Sequence, residues 1–142
     1  MKNLMKTLVL ISVLFIAGMQ NINAQLSIKV ILDGQCPDTC TSHEICTYKV
    51  EYQLYNICVE PPELCCTAPP QWVDCSTEEI YFNCDFSCDD PSNEKCYALV
   101  GKATKYCNGP GGNIAICVGT GIAYYTCHEV MTLSPLPVTV YW

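Results

Sequence analysis

Thirteen cysteines in 142 residues dominate the chemistry open to this chain. They stand at Cys36, Cys40, Cys46, Cys58, Cys65, Cys66, Cys75, Cys84, Cys88, Cys96, Cys107, Cys117 and Cys127. Such a set could form disulfides, bind a metal, carry redox chemistry or supply a nucleophile. No two cysteines are three apart, so the C-x-x-C of redox and zinc motifs is missing. The gaps of four in "CPDTC" and "CDFSC" fit no common metal pattern. Staples are the expected use, and an odd set leaves at least one cysteine out within a single chain.

The other reactive side chains are sparse. Both histidines precede a glutamate, but Thr47 and Thr132 stand where H-E-x-x-H would need its second histidine. Cys127 beside His128 suggests a thiol and its base, yet neighbours on a strand point to opposite faces. No G-x-S-x-G elbow or phosphate loop occurs, so no catalytic residue is assigned and a non-enzyme is expected. Asp85, Asp89, Asp90 and Glu94 crowd one loop, "CDFSCDDPSNEKC", as oxygen ligands for Ca²⁺ would. Their spacing matches no EF-hand, and a solvated acidic turn closed by Cys88 and Cys96 is the simpler reading. No other cofactor is expected.

Residues 1–24 carry Lys2 and Lys6, an apolar run from Leu8 to Ala17 and the junction "NINAQ". This is the pattern of a secretory signal peptide cut after Ala24. The expected mature domain is 25–142, one domain free of direct membrane insertion. With so many cysteines it belongs in an oxidising place: exterior, cell surface or periplasm. Removing Lys2 and Lys6 from seven basic residues leaves five against fourteen acidic ones, about −9. Nucleic-acid binding needs clustered Lys and Arg and is excluded on charge.

The elements that would position the cysteines alternate with period two, and no stretch of 25–142 reads as a helix. "LSIKVILDG" sets Leu26, Ile28, Val30 and Leu32 on one face. "CTYKVEYQLYNIC" does the same with Tyr48, Val50, Tyr52 and Leu54. Further strands are predicted over 80–86, 97–106, 113–126 and 137–142. The proline-rich segment 60–74 is expected to cross as extended coil. Short strands with turns between them predict an all-β fold, an antiparallel β-sandwich or barrel-like domain stapled by multiple disulfides.

Geometry prunes the pairings. On one straight strand Cys46 and Cys58 would lie roughly 40 Å apart at about 3.3 Å per residue, so they must take different partners. "NGPGG" is a strong turn and predicts a hairpin. Its near-symmetry suggests staples Cys107–Cys117 and Cys96–Cys127 with one β-bulge between them; the alternative is that all four cross to other strands. In the extended "PPELCCTAPP" one of Cys65 and Cys66 should point inward as a staple. The outward one is a candidate for the unpaired cysteine, with a second staple as the alternative.

The chain ends on a second alternating strand, "LPVTVYW", which either joins its own sheet or pairs with a neighbouring subunit. The two ends, "LSIKVIL" and the penultimate Tyr141, resemble those of donor-strand pilus subunits; Glu129 stands where those subunits carry a glycine. The resemblance implies a self-assembling surface subunit, with Leu26, Ile28, Val30, Val138, Val140 and Trp142 at the contact. The function expected is thus a secreted, non-enzymatic structural or adhesive cell-surface protein that associates with itself or another surface protein, with a self-assembling fibre subunit joined by strand exchange as one form of it. The alternative is a secreted binding module or inhibitor presenting the Pro-rich loop 60–72, with Trp72 at its end.

Overall fold

The computed structural model describes residues 25–142. The signal peptide expected over 1–24 lies outside these residues. The elements are β1 (Gln25–Asp33), β2 (Ile45–Asn56), β3 (Glu63–Thr67), β4 (Gln71–Asp74), β5 (Glu79–Asp85), β6 (Tyr97–Gly109), β7 (Gly112–Tyr125), α1 (Cys127–Thr132) and β8 (Leu136–Tyr141). One sheet runs β3-β2-β6-β7-β8-β1-β5, with β4 also on β2. It curls until β5 returns to β3, where Cys66 and Cys84 bridge the gap, and so forms a barrel that is nearly closed. Every pairing is antiparallel except β1 with β8.

Alternation sets the inside of the barrel. Leu26, Ile28, Val30 and Leu32 of β1 meet Tyr48, Val50, Tyr52 and Leu54 of β2 and Ile80 and Phe82 of β5 in one buried cluster. Leu136, Val138 and Val140 of β8 belong to the same cluster, each at most 1 % exposed. Room for β8 comes from Gly101 on β6 and Gly119 and Gly121 on β7. A Cβ on Gly101 would sit 3.0 Å from Val138 and Val140, and one on Gly119 would sit 2.8 Å from the Tyr141 carbonyl oxygen. The C-terminal strand therefore lies between β7 and β1, with its apolar side against the barrel interior.

Three expectations are corrected here. The segment 60–74 is not a crossing coil: β3 pairs with Gln53–Asn56 and β4 with Thr47–Val50, in the same direction along one edge of β2. Together they form one edge strand interrupted at Ala68, Pro69 and Pro70. Proline lacks the N–H that a ladder needs, which an edge tolerates and a central strand does not. A helix is present, six residues long. Thr126 caps it by accepting from the Glu129 backbone N–H, while the Glu129 carboxylate accepts from the Thr126 N–H. This is a capping box, and it takes Cys127 and His128 off a strand.

The β6–β7 hairpin forms around the predicted turn, with Gly112 at φ +102°. One bulge falls between Lys105 and Tyr106. Its register, however, sets Cys107 opposite Ile114 and Cys117 opposite Lys105. The predicted Cys107–Cys117 and Cys96–Cys127 staples do not form, because neither pair faces across the ladder.

Candidate functional site

Six disulfides use twelve of the cysteines: Cys36–Cys117, Cys40–Cys107, Cys46–Cys75, Cys58–Cys96, Cys66–Cys84 and Cys88–Cys127. So dense a set belongs to an oxidising environment. The hairpin cysteines Cys107 and Cys117 both bond to the 34–44 connection, which Lys105 also holds by donating from Nζ to the Asp38 carbonyl at 2.8 Å. Cys46 and Cys58 take different partners, as strand length requires. The acidic loop is not closed by Cys88 and Cys96; each is bonded elsewhere, to Cys127 and Cys58.

The covalent net has a boundary. It begins at Cys36 and ends at Cys127, so it ties β2 to β7 and the start of α1 and leaves β1 and β8 untouched. Those two strands pair with each other, from Ile28 opposite Leu136 to Asp33 opposite Tyr141. β1 then pairs with β5 over Gln25–Ile31, while β8 meets β7 at one registered pair, Thr120 and Tyr141. The barrel is thus a cross-linked shell completed by two uncross-linked neighbours. Sequence reasoning missed this arrangement, although the signal was present: no cysteine precedes Cys36 or follows Cys127.

The residues proposed from the two ends sit on that pair. Leu26, Ile28, Val30, Val138 and Val140 are buried in the chain's own core, and Trp142 is half-buried with its ring on Tyr48 at 5.1 Å. They are not on an exposed edge, and a neighbour could meet them only by replacing the strands that carry them. Of the adjacent cysteines, Cys66 is buried and bonded to Cys84, with the Tyr52 hydroxyl 3.2 Å from its sulfur. Cys65 is the unpaired thirteenth. It occupies the bulge where β3 skips a residue opposite Leu54 and Tyr55, half-buried against the core. Burial pushes its thiol pKa up, with the Asn56 backbone N–H pulling the other way.

The acidic candidates do not converge. Asp85 closes β5 opposite Gln25, and Asp90 is held by the Ser92 N–H and hydroxyl at 2.9 and 2.8 Å. Glu94 lies against the Cys58–Cys96 bridge. Among the described residues, no three carboxylates bring oxygens within 4.8 Å of one another. His128 is exposed on α1, and Cys127 beside it is a bonded cysteine. The Pro-rich segment lies along β2 as an edge, with Trp72 half-exposed on the outer face over Tyr106.

Among the described residues no helix is long and apolar enough to cross a membrane. No family model, curated protein or solved structure matches the chain.

Proposed function

We propose that this chain is an exported, non-enzymatic structural or adhesive protein of the cell surface, and that copies associate by exchanging β1 or β8. The observation that supports this is the boundary of the disulfide net. A shell cross-linked from Cys36 to Cys127 keeps its form while an uncross-linked strand leaves, and a copy of the same strand restores the same core. Exchange of an identical element costs little in contacts, because those lost within one chain are regained between two.

Size exclusion and negative-stain microscopy of the exported protein test this, with a variant that locks β1 to β5. Ser27 and Asn83 are directly opposed. They fall between the hydrogen-bonded pairs, where the Cα separation of about 4.5 Å suits a disulfide. Wild type is expected to form multimers as concentration rises, and Ser27→Cys/Asn83→Cys is expected to reduce them. A strict monomer at all concentrations would sink the reading. Loss of the multimers in Cys65→Ser alone would replace strand exchange with a disulfide link.

A further inference from the structure

β7 has 14 residues and β8 has 6, so β8 covers only part of it. On one side β6 pairs with β7 from Gly112 to Tyr125, while on the other β8 meets it at Thr120 and Tyr141. From Gly112 to Val118 no strand among the described residues lies on that second side. No turn or loop backbone among them hydrogen-bonds to this stretch either. The 34–44 connection reaches the hairpin through Cys36–Cys117, Cys40–Cys107 and the Lys105 ammonium, and does not pair with the strand. Alternate residues of an edge strand point their N–H and C=O groups away from the one paired neighbour, so Gly112–Val118 is an open ladder edge.

Its side chains do little to close that edge. Natural sheets blunt an open edge with lysine, proline or a bulge. Gly112–Val118 has no charged residue and no proline, and its one such device is the bulge at Ile116. Gly112, Asn113, Ile114 and Ala115 are exposed, and Ile114 and Val118 are each more than half exposed. Charge supplies an independent observation. The chain has a formal net charge of −7 and 14 acidic residues, yet none of them lies between Glu94 and Glu129. The β6–β7 hairpin thus carries no carboxylate, and β7 carries no charged side chain at all.

We propose that the edge Gly112–Val118 pairs antiparallel with the same edge of a second copy, joining two barrels through one continuous sheet. An antiparallel pair of identical strands is two-fold symmetric, so one patch serves both copies and the contact closes as a dimer. Charge selects the partner. Two copies of so acidic a chain repel across the faces that carry carboxylates, and along β7 they meet without opposing charges of the same sign. A basic partner would be drawn to the acidic faces instead. β1 and β8 stay in their own barrel, so the contact goes beyond strand exchange and does not depend on it.

Sedimentation velocity and amide exchange by mass spectrometry on the exported protein test this between about 5 and 500 μM. A dimer is expected to grow with concentration, and protection of the amides of 112–118 should grow with it. Ile114→Glu and Ile114→Lys each set like charges across the two-fold, met twice, and should each raise the dimer Kd at least about tenfold. An equimolar mixture of the two should restore the dimer. Ile114 is exposed, so both variants keep their fold, which unchanged protection in β2 and β5 verifies. The proposal is overturned if the protein stays monomeric, if 112–118 exchanges equally fast throughout the range, or if either variant dimerises like wild type. It is also overturned if the mixture dimerises no better than its components. Protection of 112–118 in a monomer would place another segment of the same chain on the edge and overturn it too. The Ser27→Cys/Asn83→Cys chain separates the result from the exchange reading. Dimers that survive this lock and vanish with Ile114→Glu support the edge contact, and multimers that survive Ile114→Glu but not the lock support exchange and overturn the edge.

Discussion

An unpaired thiol among six disulfides threatens to shuffle them, and the position of Cys65 limits that. It lies half-buried in a bulge, 3.6 Å from the Glu63 carbonyl, and desolvation lifts its pKa above the ordinary 9.0. Since the thiolate is the reactive form, raising the pKa and covering the sulfur both slow attack. Folded protein should therefore show one titratable thiol reacting with an aromatic disulfide reagent at pH 8 at least about tenfold more slowly than free cysteine, and rapidly once unfolded. Equal rates folded and unfolded would place the sulfur in open solvent. The carboxylates give a second prediction at this scale. The Ser76 N–H lowers the pKa of Asp74 and the Ser92 N–H that of Asp90, both from 3.8. The Lys29 ammonium lowers Glu79 and the Thr126 N–H lowers Glu129, both from 4.5. Each binds its proton more weakly when folded, so its contribution is full above the unfolded value and lost as pH falls through the folded one. The thermal midpoint should hold steady between about pH 6 and 8 and drop below about pH 4. A midpoint unchanged down to pH 2 would show that these contacts do not form in solution.

The strands most legible in the sequence were those with one buried face. β1, β2 and β5 alternate cleanly, the β6–β7 hairpin was marked by its "NGPGG" turn, and the extents of all five fall close to the predicted ones. β3 and β4 were hidden because Pro69 and Pro70 read as coil, when their true meaning was an edge that needs no ladder N–H at that point. The helix was hidden by its length, since six residues show no helical period, although Thr126 and Glu129 carried the capping signature. Disulfide partners were legible only as exclusions, because connectivity depends on how the 34–44 connection passes the hairpin end. That β8 joins its own sheet was one of the two readings of the sequence; its seat between β7 and β1 was not legible, although Gly101, Gly119 and Gly121 record it. At Gly121 an added Cβ would overlap the Thr139 backbone carbonyl, which cannot move without the strand. At Gly101 its nearest neighbours would be the methyls of Val138 and Val140. At Gly111 it would meet nothing within 4 Å. Gly121→Ala should cost about 3 kcal/mol or more, Gly101→Ala about 1 to 2, and Gly111→Ala close to nothing by chemical denaturation. Equal costs at Gly121 and Gly111 would mean that β8 does not pack against β7.

For the whole molecule, closure of the barrel and the hold on the 34–44 connection rest on different disulfides. Between β5 and the β3–β4 edge there is no backbone ladder; the gap is spanned by Cys66–Cys84, by Gln71 Nε2 donating to the Tyr81 carbonyl at 2.8 Å, and by the Tyr52 hydroxyl reaching the Asn83 carbonyl at 3.5 Å. The Cys66–Cys84 bridge closes a separation of 18 residues. Cys36 and Cys117 are 81 apart in sequence, but with Cys40–Cys107 intact their bridge closes only the path through 36–40 and 107–117. That path is about 14 residues, so loop-closure entropy assigns about 3 kcal/mol to each bridge, and the two variants should lose similar global stability. Cys66→Ala/Cys84→Ala should in addition loosen the gap, since the ladder from β3 through β2, β6, β7, β8 and β1 to β5 stays intact while the gap loses its disulfide. Amide exchange by mass spectrometry separates the two. The gap variant is expected to lose protection first in β3 and β5, with β6 and β7 changed far less, and the Cys36→Ala/Cys117→Ala variant to lose it first in the 34–44 connection and the hairpin end. If the gap variant instead loses protection evenly, then the barrel behaves as one cooperative ring and its disulfide cannot be opened without loosening the rest.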